Sequence, residues 1–421
     1  MVAVTATACL PDLPDDVITV ILARVPDVVS LFRCVVVCKR WRGIVADPAF
    51  LRRCVFWPAT GRCSLLGFFV QRDLLSANAR SKNTSSRAPP VFVPAPGSAL
   101  GPGRRFLSSF VRHYARILDD ANPLAGRDGL LLLRVLSKSR DNTILRLRVC
   151  DLLTGKQDLL RPIKAAYFGD DDGAMGYAVL RAARHSANPH RRPADGYSTL
   201  FRVLIVGVHR RNRRVHLGEF SSTNPTWAMS IKGEPADGLR AAAAVNGSSA
   251  NWLLHVEGNN DPNWPTRLYR IIDVGINTRH RHVRTKAFPP LPIPVQCSAW
   301  LCTNVDGDGR LSLILLARDR NLEIWTQQDA NGVAWRRAHI HVNGAELGLS
   351  GMEPVCVAEK SGTMLVLYRS DPDNAYLLDI HSGSITMVAG WKQSLNYMTA
   401  VPCEINLLEF FMSRLGVQDH E

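Results

Sequence analysis

The chain has 421 residues, 46% of them hydrophobic and 21% charged, a balance that suits two or three globular domains and excludes fibrous, collagen-like or wholly disordered organisation. Lys and Arg number 51 against 37 Asp and Glu, a net charge of +14, which suits an acidic partner or anionic surface, although the charge is scattered rather than massed. The longest apolar stretches, such as Gly129–Leu133 and Leu313–Ala317, are strand-sized, so no transmembrane helix and no membrane partner are expected.

Residues 1–11 read as a tail. They carry no basic residue and run into Asp12, Asp15 and Asp16, which argues against a secretory signal. The ten cysteines form no C-x-x-C pair. They read as small buried hydrophobes of a reducing compartment, so a cytoplasmic and/or nuclear location is expected.

Residues 12–57 are dense in helical spacing. Leu13-Pro14 followed by Asp15 and Asp16 opens a helix, with the acids at its positive end, and Pro26 closes it. Val17, Ile21 and Val25 recur at i, i+4, i+8, while Ile18 and Leu22 form a second stripe. Asp27 or Ser30 can cap a second helix, in which Leu31, Cys34, Val35 and Cys38 make one face. A third short helix carries Trp41, Ile44 and Val45 before Asp47-Pro48. Three short helices hold more apolar surface than so small a bundle can cover. They must dock either on the rest of the chain or on a partner, and the segment that follows favours a partner.

That segment, residues 58–105, reads as a linker and variable region rich in Pro, Gly and Ser. Pro89, Pro90, Pro94, Pro96, Gly97, Gly101, Pro102 and Gly103 leave no expectation of a helix or ladder over 76–103. From 106 to 412 the chain becomes a series of short β-branched runs punctuated by Gly, Asp, Asn and Pro. Examples are Leu130–Val135, Leu200–Val208, Leu311–Ala317 and Met364–Tyr368. Such spacing predicts an all-β body. Asp151-Leu-Leu-Thr-Gly155 and Asp379-Ile-His-Ser-Gly383 repeat one turn chemistry after 228 residues. That interval corresponds to about five units of roughly 45 residues, the size of a propeller blade. A propeller-like domain is therefore expected, without a fixed blade number, followed by a tail over 413–421.

Catalytic and metal chemistry is weakly signalled. Asp306-Gly-Asp-Gly309 departs from calcium-loop spacing at Arg310 and Ala317. Asp170–Asp172 reads as a solvated loop. His280 with His282 and His339 with His341 are i, i+2 pairs, too few for zinc and without a cysteine at ligand spacing. No phosphate loop, dinucleotide loop or nucleophile elbow is present, so no catalytic residue, cofactor or metal is expected. The basic runs His190–Arg192, His209–Arg214 and Arg279–Arg284 lack interleaved stacking aromatics. They suit an acidic partner or acidic substrate segment better than nucleic acid. Trp227, Trp252, Trp264, Trp300, Trp325, Trp335 and Trp391 are spread through the β region and are read as packing residues.

The helical segment resembles the F-box. The residues that carry the likeness are Leu13-Pro14, Ile21-Leu22, Val25-Pro26, Leu31, Val37-Cys38-Lys39-Arg40-Trp41 and Phe50. The one departure is Val25, where Leu is usual. The strands around Leu130, Val149–Gly155 and Tyr376–Asp379 are more loosely similar to the β domain of plant, especially grass, F-box proteins. The resemblance implies a small all-α three-helix unit followed by an all-β, propeller-like domain. It also implies a non-catalytic substrate adaptor of an SCF-type cullin–RING ubiquitin ligase, joined to a Skp-family adaptor. Leu13, Pro14, Val17, Ile21, Leu22, Val25, Pro26 and Leu31 would then contact the adaptor or support the contact. Cys38, Trp41, Ile44 and Phe50 would hold the helical unit together. The other expectation is a propeller that binds a ligand or substrate, as an enzyme or receptor, outside any ligase.

Overall fold

The computed structural model describes residues 13–51, 53–54, 64–72, 90–99, 121–135, 143–152, 154–169, 175–181, 193–209, 212–240, 242–246, 249–256, 266–275, 283–287, 293–294, 298–303, 310–316, 321–329, 334–343, 352–368, 371–389, 391 and 398–406. Both tails, residues 106–120, Asp170–Asp172, Asp306–Gly309, His280, His282, Trp264 and His190–Arg192 lie outside the described residues.

Four short helices open the chain: α1 (Asp15–Ala23), α2 (Val28–Val37), α3 (Lys39–Val45) and α4 (Pro48–Leu51). In α1, Asp15 and Asp16 occupy the first turn, where the free N–H groups favour negative charge. Of the two possible caps of α2, Asp27 takes the role: its carboxylate accepts from the Ser30 N–H at 2.8 Å and from the Ser30 hydroxyl at 2.9 Å. Cys38 ends α2 and begins α3, its Sγ accepting from the Trp41 N–H at 3.5 Å. Arg40 on α3 ties back to α1, pairing with Asp15 Oδ1 at 2.7 Å and donating to the Leu13 carbonyl at 2.6 Å.

Seven antiparallel sheets follow among the described residues: six are the blades of a β-propeller, and the seventh is the short pair Ile144–Leu145 with Ile163–Lys164. The first blade places Ser64–Arg72 between Val91–Pro94 and Met398–Ile405. The second is built from Ala121–Arg127, Leu130–Val135, Leu147–Asp151 and Gln157–Leu159, and the third from Met175–Arg181, Phe201–His209, Arg214–Ser221 and Asn224–Pro235. In the fourth, the short strands Gly238–Leu239 and Ala244–Asn246 share Ser249–Val256, which then pairs with Thr266–Gly275 and onward to Val283–Ala287. Ser298–Thr303, Leu311–Leu316, Asn321–Gln327 and Trp335–His341 form the fifth; Met352–Ala358, Thr363–Tyr368, Asp371–Asp379 and Ile385–Met387 form the sixth. The inner strands meet in a ring. Met398–Ile405 touches both Ala121–Arg127 and Met352–Ala358, and Tyr177 bridges to Ala242 between the third and fourth blades.

The packing explains why so many strands are continuous apolar runs. Each blade is covered on both faces by its neighbours, so residues of both parities are buried. Leu130 and Leu132 face the third blade with Val179 and Val203, whereas Leu131 and Leu133 face the first with Phe69 and Val401. Each pair of adjacent blades encloses its own apolar cluster.

Two expectations are corrected. Within 58–105, the described residues do not read as linker: Ser64–Arg72 pairs with Met398–Ile405 and closes the ring, and Val91–Pro94 forms the blade's outer edge. Pro94 is compatible with a ladder because that strand is an edge. The helical unit also does not depend on a partner for all of its cover. Ile18, Leu22, Val28, Leu31, Val35, Val45, Phe50 and Leu51 join one cluster with Leu66, Phe69, Leu131, Leu133 and Cys403 across the first and second blades. The Val28 N–H also donates to the Ala99 carbonyl at 2.9 Å.

Candidate functional site

The helical unit covers one side of itself with the propeller and leaves another bare. On α1 the stripe Ile18 and Leu22 turns inward, while Val17, Val20 and Ile21, at i, i+3 and i+4, point out with 39%, 53% and 52% of their surface exposed. Pro14 and Pro26 are exposed beside them, and Val37 stands bare at the end of α2. Leu13 and Val25 are half-buried. Leu22 and Leu31 are fully buried within the chain, so among the expected adaptor residues these two support the face and do not touch its outside. Cys38, Trp41 and Ile44 are half-buried and Phe50 is buried. Val20, not among the residues expected to contact the adaptor, belongs to the bare face. Its spacing from Val17 was the signal that could have found it.

A second constellation closes one end of the ring, where the inner strands finish. Arg127 of the second blade reaches Glu359 of the sixth in an ion pair and donates to the Val245 carbonyl of the fourth at 2.9 Å. The Val245 N–H donates to Glu359 Oε1 at 3.2 Å, and the Thr303 hydroxyl of the fifth blade donates to the same Val245 carbonyl at 3.2 Å. Glu404 of the first blade accepts from the backbone N–H groups of Lys360 and Ser361 at 3.2 and 2.7 Å. Lys360 pairs with Asp128 across to the second blade. From the third, Arg181 holds Asp151 through two bonds of 3.0 and 3.3 Å and donates to the Asp128 carbonyl at 3.1 Å. All six blades thus meet in one polar knot. Burial pushes the Glu359 carboxyl up to about 7, outweighing the attraction of Arg127. The knot ties blades together through the ion pairs Arg127–Glu359, Lys360–Asp128 and Arg181–Asp151, with Glu404 held by backbone N–H groups.

The remaining candidates fall into ordinary roles. Cys54, Cys150, Cys302, Cys356 and Cys403 are buried. Burial raises their thiols, those of Cys54, Cys150 and Cys403 to about 12. A nucleophilic thiolate needs the opposite shift. His339 and His341 lie exposed on the outer strand of the fifth blade. Among the described residues, no three His, Cys, Asp or Glu side chains gather as metal ligands, and no helix is long and apolar enough to cross a membrane. Trp252 and Trp391 are buried. Trp227, Trp300, Trp325 and Trp335 are half-buried; the indole N–H of Trp227 donates to the Arg161 carbonyl at 2.7 Å.

Residues 10–57 match the F-box-like family model. No curated protein matches the chain in sequence. Among solved structures, an α-L-arabinanase of Penicillium chrysogenum is 9% identical over 61% of this chain and 76% of its own, with a TM-score of 0.32. Sqt1 of Saccharomyces cerevisiae is 10% identical over 66% and 65%, with a TM-score of 0.32. The lectin AAL of Aleuria aurantia is 11% identical over 67% and 84%, with a TM-score of 0.37. The chain is therefore an F-box-like helical segment joined to a six-bladed β-propeller.

Proposed function

We propose that this chain is the substrate-recognition adaptor of an SCF-type cullin–RING ubiquitin ligase, acting in the cytoplasm and/or nucleus. Its F-box-like segment binds a Skp-family adaptor, and its propeller holds a protein substrate. The observation that carries this reading is the bare stripe Val17, Val20 and Ile21 on the F-box-like segment. About half of each side chain remains to be covered, so docking contributes on the order of 1 kcal/mol from each, which supports a specific contact as part of a larger interface. The chain makes and breaks no bond in this role. It raises the effective concentration of a substrate beside a ubiquitin-loaded enzyme.

The test is capture of a purified Skp-family adaptor by the full chain. Val17→Asp with Ile21→Asp places two carboxylates in the contact and is expected to weaken capture by at least about 100-fold. Both positions face solvent, so the thermal midpoint should hold nearly unchanged. Undiminished capture by this variant would refute the assignment of the docking face.

A further inference from the structure

The outer edges of five blades are built to refuse a further strand. Those of the second and sixth blades are three residues long. That of the first is four residues long and ends in Pro94. The fourth carries Arg284 and Lys286, and the fifth exposes Arg336, Arg337, His339 and His341. Shortness, proline and charge are the common protections of a sheet edge. The third blade keeps such guards only at its ends, Pro225 near the start and Lys232, Glu234 and Pro235 at the finish, and lacks them from Thr226 to Ile231. Its outer strand, Asn224–Pro235, has 12 residues and stands last in its sheet among the described residues. Pairing is regular where Ala228–Lys232 opposes Val215–Glu219 and shifts only at the two ends. Ala228, Met229, Ser230 and Ile231 carry no charge, and Met229 and Ile231 are 38% and 58% exposed.

The two faces of this edge differ. Met229 and Ile231 share the face of Gly218 and His216. On the other, Thr226 and Ala228 border a depression of about 200 Å³ lined by Arg202, Glu219, Ser221 and Thr223. Arg202 and Glu219 pair there at 3.7 Å. Beyond the end of the regular stretch lies an exposed Arg214, in the basic run His209–Arg214.

We propose that this edge binds an extended segment of a partner protein as an added strand of the third blade. A row of backbone donors and acceptors with period-two faces is matched by a polypeptide strand. The segment places apolar residues over Met229 and Ile231, hydroxyl-bearing residues over the depression, and acidic residues beside Arg214. That the segment belongs to a ubiquitination substrate rests on the reading above; binding at the edge does not.

The experiment uses the full chain and a labelled synthetic peptide of alternating valine and threonine with two aspartates at one end, read by fluorescence anisotropy. Binding is expected to weaken at least tenfold in Ile231→Lys and in Met229→Asp, and by as much when a proline interrupts the peptide. Equal binding by wild type and both variants, or no binding by wild type, would overturn the proposal. So would an edge-to-edge dimer of wild type that Ile231→Lys converts to monomer, since a second copy would then own the edge. Capture of the Skp-family adaptor, measured in parallel, should be unaffected by Ile231→Lys, so failure of the edge and failure of the ligase reading are told apart.

Discussion

Glu359 sits at the centre of the polar knot, and its proton is linked to folding. Its ordinary value is near 4.5, and in the native ring burial raises it to about 7. Between those values the native state binds more protons than the unfolded chain. The contribution of Glu359 to stability is therefore full below the lower value and is lost as pH rises through the upper one, by on the order of 3 kcal/mol. Denaturant unfolding at about pH 5 and about pH 8 should show a larger loss in wild type than in Glu359→Gln, which cannot ionise. An equal loss in both would remove this residue from the pH response. On α1 two neighbours in sequence part company: Leu22 is core and Ile21 is face. Leu22→Ala should cost about 2–5 kcal/mol of stability, the signature of a support residue.

At the scale of elements, the repeated turn shows what sequence chemistry fixes locally. The N–H of Gly155 donates to the Asp151 carbonyl at 2.8 Å, and that of Gly383 to the Asp379 carbonyl at 2.9 Å. Both glycines have φ near +70°, at 75° and 69°, where a Cβ is strained. The Asp379 carboxylate accepts from the N–H groups of His381 and Ser382 at 2.8 Å each. The turn was legible in the residues, but its count of blades was not: the two copies lie in the second and sixth blades, four blades apart rather than five. Blade length depends on loops, which carry no periodic signal. Gly383 also abuts the fifth blade, and an added Cβ would sit 2.1 Å from the His341 carbonyl oxygen. Gly383→Ala should therefore cost more than the roughly 1 kcal/mol of the backbone strain alone, measured as a fall in the thermal midpoint. Strands such as Met175–Arg181 and Ser298–Thr303 escaped the sequence reading. Gly176, Ala178, Ser298 and Ala299 interrupt the apolar runs by which the other buried strands are recognised.

The whole molecule is a ring closed by distant parts of the chain. Ser64–Arg72 lies beside Met398–Ile405, and the helical unit caps the cluster between the first and second blades. A chain beginning at residue 106 is expected to lose a single cooperative transition in scanning calorimetry, because the closing blade keeps only its inner strand. One beginning at residue 58 keeps the closure but uncovers Leu66, Phe69 and Leu133, and should melt cooperatively at a lower temperature. An intact transition in the shorter chain would show that the closing strands are dispensable.

What the sequence determined by itself was whatever short-range chemistry encodes. The Pro14 and Pro26 limits, the acids at the start of α1, a cap at Asp27 or Ser30, the turns at Gly155 and Gly383 and the apolar strands each follow from residues a few positions apart. The likeness to the F-box rests on that same local pattern. Only the tertiary structure decided which side of α1 stays bare, that Ser64–Arg72 and Val91–Pro94 belong to the ring, and that Arg127 and Glu359 meet across it. Those choices depend on which surfaces, hundreds of residues apart in the chain, cover one another, and side-chain periodicity says that a face must be buried without saying against what.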